Sequence, residues 1–222
     1  MELIKPGTRI LCLSPHPDDV EFGLGATLHK YKGKYEGKLI VFSDRSATRG
    51  EVYNERDQLL SAGPLVFQED QVIFIDQLGL GLDRMQIRFF GTAENRDRIR
   101  MVVSSVARDF EPELIFVPGL NDTMQDHQAL SEEVVRIVSG RASILGYEVP
   151  RSNRRFQPNV FIDVSAADLD AKIQAVNRFT EFTNRYYFED QNIRALANCR
   201  ALNAGYSGHA EAFELYRLMV GP

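Results

Sequence analysis

Four times along the chain a short apolar run opens directly into a polar loop and then into a helical pattern. The runs cover residues 9–13, 38–43, 72–75 and 113–117, and the helical patterns 20–31, 54–62, 94–110 and 128–138. Short, β-rich runs bounded by polar loops read as buried strands, and the apolar spacing at Ile99, Val102, Val103 and Val106 reads as one helix face. Strands alternating with helices, each crossover long enough for a parallel connection, predict an α/β fold: a doubly wound, mostly parallel sheet with helices on both faces, Rossmann-like. Two further strands are expected at 143–149 and 159–164. Ser165 and Asp168 form a capping box that opens a helix to 182, and a last helix covers 191–202. The 222 residues suffice for one large domain, expected to span 1–222.

In such sheets ligands collect beyond the carboxyl ends of the strands. The first of these ends is Ser14-Pro15-His16-Pro17-Asp18-Asp19-Val20-Glu21. Two prolines stiffen it, and neither has an N–H to donate. A His and an Asp three apart can share a divalent cation, with Asp18 left beside it as a general base. The rival reading makes Asp18 and Asp19 helix N-terminal residues stabilised by the dipole, and His16 a plain loop residue. Gly23 and Gly25 do not complete a dinucleotide fingerprint, because Leu28 holds the third glycine's place. A net charge of -5 gives no nucleic-acid footprint. No apolar run approaches the roughly 18 residues of a membrane span, and residues 1–7 do not form a signal peptide. Cys12 and Cys199 read as buried thiols of a cytoplasmic protein, not as a disulfide or metal site.

The stretch Pro15-His16-Pro17-Asp18-Asp19, followed by Val20-Glu21, resembles the first motif of the PIG-L/LmbE-like family of zinc-dependent N-deacetylases. That family removes acetyl groups from N-acetylglucosamine-type sugars on lipid, nucleotide, inositol or thiol-precursor carriers. The resemblance implies an LmbE-type fold and a second motif before a later helix, which family members write HPDH or HQDH. Here it reads Met124-Gln125-Asp126-His127. The match makes His127 the third ligand beside His16 and Asp19, in a zinc site that also suits iron(II) or another divalent ion. It gives Asp18 the role of base and makes Asp126 a catalytic-site residue that orients its neighbours. Arg56 and Glu51 match family positions near the sugar; for Arg56 a solvated, ion-paired helix residue is the rival reading. Ala210-Glu211-Ala212-Phe213 resembles a segment found late in family members, so the likeness spans nearly the whole chain. Residues 144–150 resemble the branch of surface-polysaccharide and sugar-nucleotide pathways, which points to a nucleotide- or lipid-linked sugar. The implied partner is a small N-acetylated sugar derivative, and the implied assembly a homo-oligomer.

Met124 departs from the motif. The family's first histidine there acts as general acid or stabilises the oxyanion, and a thioether can do neither. Removing one oxyanion donor costs on the order of 10²–10³ in turnover. Three outcomes stay open: a slow deacetylase in which Asp18 returns the proton, a substitute imidazole from His209, or a non-catalytic sugar- or metabolite-binding member. A nucleotide-binding protein without metal is the remaining alternative. Arg151, Arg154 and Arg155 lie between the last two expected strands, as a solvated hairpin loop or a phosphate contact.

Overall fold

The structure is a computed structural model and describes residues 3–43, 55–62, 67–78, 91–138, 142–180 and 184–220. In chain order the main elements are β1 (Thr8–Ser14), α1 (Asp19–Lys30), β2 (Tyr35–Val41), α2 (Glu55–Ala62), β3 (Val72–Phe74), α3 (Ala93–Phe110) and β4 (Leu114–Pro118). They continue with α4 (Gln125–Ile137), β5 (Ser143–Tyr147), β6 (Val160–Val164), α5 (Ala166–Val176), α6 (Asp190–Asn203) and β7 (His209–Arg217). The strands form one sheet in the order β3-β2-β1-β4-β5-β7-β6. β1 to β5 pair in parallel, and β7 runs antiparallel to both β5 and β6. The expected doubly wound α/β architecture is present. From β1 the chain winds outward through β2 and β3, then returns to lay β4 and β5 on the other side. The β1/β4 boundary is therefore the topological switch point, where a crevice opens beyond the strand ends.

Alternation along the strands divides the core. Ile10, Cys12, Leu39, Val41, Leu114 and Phe116 face α1, α2, α5 and α6. Leu11, Leu13, Ile40, Phe42, Ile115 and Val117 face α3 and α4. Period-two alternation feeding two apolar layers is what a sheet covered on both faces requires. Each fully buried Leu or Val, such as Leu130 and Val134 of α4, is worth about 1.5–3 kcal/mol.

α1 is not one straight helix. Leu24 leaves helical geometry at φ -144° and ψ 19°. The N–H groups of Ala26 and Thr27 donate instead to the Glu211 carboxylate, at 3.2 and 2.6 Å. Lys172 of α5 donates to the same carboxylate at 2.7 Å. Close approach explains Gly23: a Cβ there would lie 2.4 Å from the Tyr147 ring. The Tyr147 hydroxyl in turn donates to Leu13 O at 3.0 Å, tying β5 to the end of β1.

Several expectations need correction. β7 has no counterpart in the sequence reading, and it separates β5 from β6, so Arg151, Arg154 and Arg155 do not lie in a hairpin loop. Cys199 is exposed, not buried, because α6 turns Ile193, Ala197 and Ala201 inward and leaves residue 199 outside. α5 ends at Val176, short of 182. Glu51, with most of the loop after β2, lies outside the described residues. No helix among the described residues is long and apolar enough to cross a membrane.

Candidate metal centre

The two motifs leave adjacent strands, β1 and β4, and meet at the switch point. β2 fixes the first: Phe42 N and Ser43 N donate to Ser14 O and Pro15 O, both at 3.0 Å. Ser14 Oγ adds a bond to His16 O at 2.5 Å. The second motif starts its helix earlier than the sequence pattern suggests. α4 begins at Gln125, so Asp126 and His127 stand in its first turn. Asp122 Oδ1 accepts from Met124 N at 2.9 Å and braces that helix start.

His16, Asp19 and His127 come together. Asp19 Oδ2 lies 3.1 Å from His16 Nδ1 and 3.4 Å from His127 Nε2, and the two nitrogens are 3.4 Å apart. All three residues are buried. A tetrahedral zinc with bonds of about 2.0–2.2 Å spaces its ligand atoms about 3.3–3.6 Å apart. The observed triangle matches that edge length to within a few tenths of an ångström, and two imidazoles with one carboxylate are a ligand set zinc takes. The triad thus fits a zinc ion, with room in the ligand shell for a fourth, non-protein ligand.

Each imidazole is held from behind. His16 Nε2 lies 2.6 Å from Asp126 Oδ2, and His127 Nδ1 lies 3.0 Å from Asp122 Oδ2. Carboxylates on the outer ring nitrogens fix the tautomer that turns the other nitrogen toward a metal. Burial raises the Asp126 pKa, but the contact with His16 and the charges of both imidazoles outweigh it and hold the carboxyl below its ordinary value. Burial likewise lowers His127, while the negative charge of Asp19 and the bond to Asp122 outweigh it and raise the imidazole. The two directions describe acids and imidazoles that each hold the other's charged form. Asp122 carries no role in the sequence reading. Its part depends on where α4 starts, although its carboxylate type five residues before a ligand histidine was visible.

Asp18 is buried at the N-cap of α1, where its side chain makes no cap bond, so simple helix capping does not account for it. Asp19 turns its Oδ2 inward, accepting also from His16 N at 2.9 Å. Glu21 is fully buried; burial first, then the charges of Asp18 and Asp19, push its pKa up to about 8.

Met124 stands at the N-cap of α4 with Arg151 Nη2 3.7 Å from its sulfur. His209 pairs with Val164 between β7 and β6, three strands from β1, and among the described residues it makes no contact with the triad. Arg56 pairs with Asp76 at 3.1 Å, and its guanidinium carbon lies 4.0 Å from the centre of the Phe74 ring. That places it at the carboxyl end of β3, two strands from β1.

Comparisons with known proteins give a family match and similar folds that include both deacetylases and a hydratase. The profile of the family described as PIG-L, GlcNAc-PI de-N-acetylase, matches residues 11–138. The chain is 24% identical over 171 residues to the uncharacterized deacetylase YaiS of Escherichia coli (strain K12), covering 76% of this chain and 89% of that one. Its fold is similar to that of N,N'-diacetylchitobiose deacetylase from Pyrococcus horikoshii, with a TM-score of 0.68, 15% identity and coverage of 94% and 83%. It is also similar to GalB, a 4-carboxy-2-hydroxymuconate hydratase from Pseudomonas putida KT2440, with a TM-score of 0.69, 16% identity and coverage of 97% and 98%.

Proposed function

The chain belongs to the PIG-L family of de-N-acetylases, and on that premise we propose that it is a metal-dependent N-deacetylase acting on the acetamide of an N-acetylated amino sugar. The observation that carries the reading is the His16–Asp19–His127 triangle at the switch point, with its zinc-sized edges. A zinc ion held there supplies Lewis acidity, activating water near neutral pH and polarising a carbonyl. Asp18 takes a proton from the attacking water as the C–O bond forms. It delivers that proton to the amine nitrogen as the C–N bond breaks, leaving acetate and a free amine. Asp126 and Asp122 keep the two imidazoles aligned and withhold their outer nitrogens from other partners. Arg56 binds the sugar at the end of β3, with Glu51 assigned to the same task. The reading includes one domain over 1–222, and the family likeness suggests a nucleotide- or lipid-linked sugar, a cytoplasmic site and a homo-oligomer.

The test is acetate release from N-acetylglucosamine derivatives by zinc-loaded protein. Turnover in the wild type and at least a 10³-fold loss in Asp18→Ala are expected, from removal of a base worth about 10²–10⁴ that also serves the leaving group. Zinc at one equivalent without acetate from any such substrate defeats the reading. Met124 favours a second one, a member that binds N-acetylated sugars without hydrolysing them. In Met124→His a large gain in rate marks a weakened enzyme; binding without any gain marks a binder.

A further inference from the structure

The loop after β5 is joined to the loop after β4 by the same groups that hold the metal ligands. Ser152 Oγ donates to Asp122 Oδ2 at 2.9 Å, the oxygen that faces His127. Ser152 O accepts from Thr123 N and Thr123 Oγ1, at 3.0 and 2.9 Å. Between Pro150 and Ser152 stands Arg151, whose backbone is left-handed at φ 83°. Among the described residues one other non-glycine residue has positive φ, Glu111, and it ends α3 in the usual way. Arg151 ends no helix. Strain of this kind gathers at ligand clamps.

The strained residue delivers a guanidinium to the N-cap of α4, the helix whose first turn carries His127. Arg151 Nη2 lies 3.7 Å from Met124 Sδ, and its Cζ lies 5.4 Å from the centre of the Tyr187 ring. A thioether is a weak acceptor, and a ring face holds a cation without using its N–H donors. Arg96, Arg100, Arg194 and Arg200 each pair with a carboxylate. Arg151 has no carboxylate partner among the described residues. Its planar fork of donors matches two oxygens of a phosphate or carboxylate.

We propose that Arg151, seated between Tyr187 and Met124, the latter three residues before the ligand His127, anchors an anionic oxygen group that the substrate carries near its acetamide. This rests on the deacetylase reading for the identity of the substrate, but its test needs no turnover. Zinc-loaded wild type, Arg151→Gln, Arg151→Lys and Arg154→Gln are titrated calorimetrically with three sugars: N-acetylglucosamine, N-acetylglucosamine 1-phosphate and N-acetylmuramic acid. At least one anionic sugar should bind wild type tenfold or more tightly than the neutral one, and which of the two does so separates phosphate from carboxylate. Arg151→Gln should weaken that sugar about 10–100-fold, the worth of a charge-assisted bidentate contact, and change the neutral sugar less than twofold. Arg151→Lys should retain part of the preference and Arg154→Gln all of it. If Arg151→Gln loses zinc or fails to fold, Arg151→Lys decides, and an unchanged preference there overturns the proposal. Equal affinity of wild type for all three sugars, or equal weakening of all three in Arg151→Gln, also overturns it. An anionic preference that depends on Arg151, without acetate release, retains the anchor and defeats the deacetylase. Acetate release with no anionic preference does the reverse.

Discussion

Two buried polar clusters lie along α1, and they are built on opposite principles. At its far end the Glu211 carboxylate meets two backbone N–H groups and the Lys172 ammonium, so charge and hydrogen bonds close within the protein. At its near end Asp19, Asp122 and Asp126 surround two imidazoles, and three potential ligand atoms converge on one point. The first cluster is complete as it stands. In the second, the three carboxylates meet two imidazoles, and three of the facing atoms lie close enough together to hold a metal ion. Burial of acidic groups alone therefore does not mark a functional site; the distinction lies in whether their partners are all protein donors. The helix kink at Leu24 belongs to the closed cluster and lets one helix serve both ends.

The comparison breaks first at Asp19. Asp19→Asn should cut bound zinc from about one equivalent to a small fraction and acetate release by at least about 10³-fold. In chelator, where no metal contributes, its melting temperature should equal or exceed that of the wild type, because a crowded negative charge is gone. Full zinc occupancy in Asp19→Asn, measured by elemental analysis, would erase the distinction between the clusters. The closed cluster should respond through stability. Glu211→Ala strands Lys172 in the core and is expected to cost about 3–5 kcal/mol in urea unfolding. Adding Lys172→Met should return part of that loss, since the unpaired charge goes while two N–H groups stay unmet. A cost below about 1 kcal/mol would show that water satisfies these groups and that the cluster is open after all.

The sequence made the cluster of His16, Asp19 and His127 far more legible than the cluster around Glu211. His16 and Asp19 are neighbours on one turn, and a strand–loop–helix pattern announces where that turn points. His127 required only that β1 and β4 be adjacent, which the winding order of a doubly wound sheet favours. The Glu211 cluster depends on β7, whose segment Ala210-Glu211-Ala212-Phe213-Glu214-Leu215 is poor in β-branched residues. Its insertion between β5 and β6 is a long-range choice that local propensity does not encode. Thus the role of Glu211 was invisible although its motif was in view. Asp122 and Arg151 were obscured at a finer scale: one depends on α4 starting at Gln125, the other on a single left-handed residue.

The smallest expected effect lies just beyond the closed cluster, at the start of the helix that carries Lys172. Ser165 and Asp168 form the capping box read from the sequence: Asp168 N donates to Ser165 Oγ at 3.1 Å, and Ser165 N donates to Asp168 Oδ2 at 2.9 Å. His29 of α1 lies 2.8 Å from the same carboxyl group, so the cap also joins α5 to α1. Burial raises the Asp168 pKa, but the Ser165 hydroxyl first and then His29 outweigh it and bring it below its ordinary value of 3.8. A carboxyl group with a depressed folded-state pKa stabilises the fold above its unfolded value and loses that contribution as pH falls through the folded one. Asp168→Asn should therefore cost about 1 kcal/mol at pH 7, and its unfolding curve should converge toward that of wild type only below pH 3.8. A gap that stayed constant from pH 7 down to acid unfolding would assign the cap's worth to shape alone. It would also remove Asp168 from the charges that hold α5, and with it Lys172, against α1.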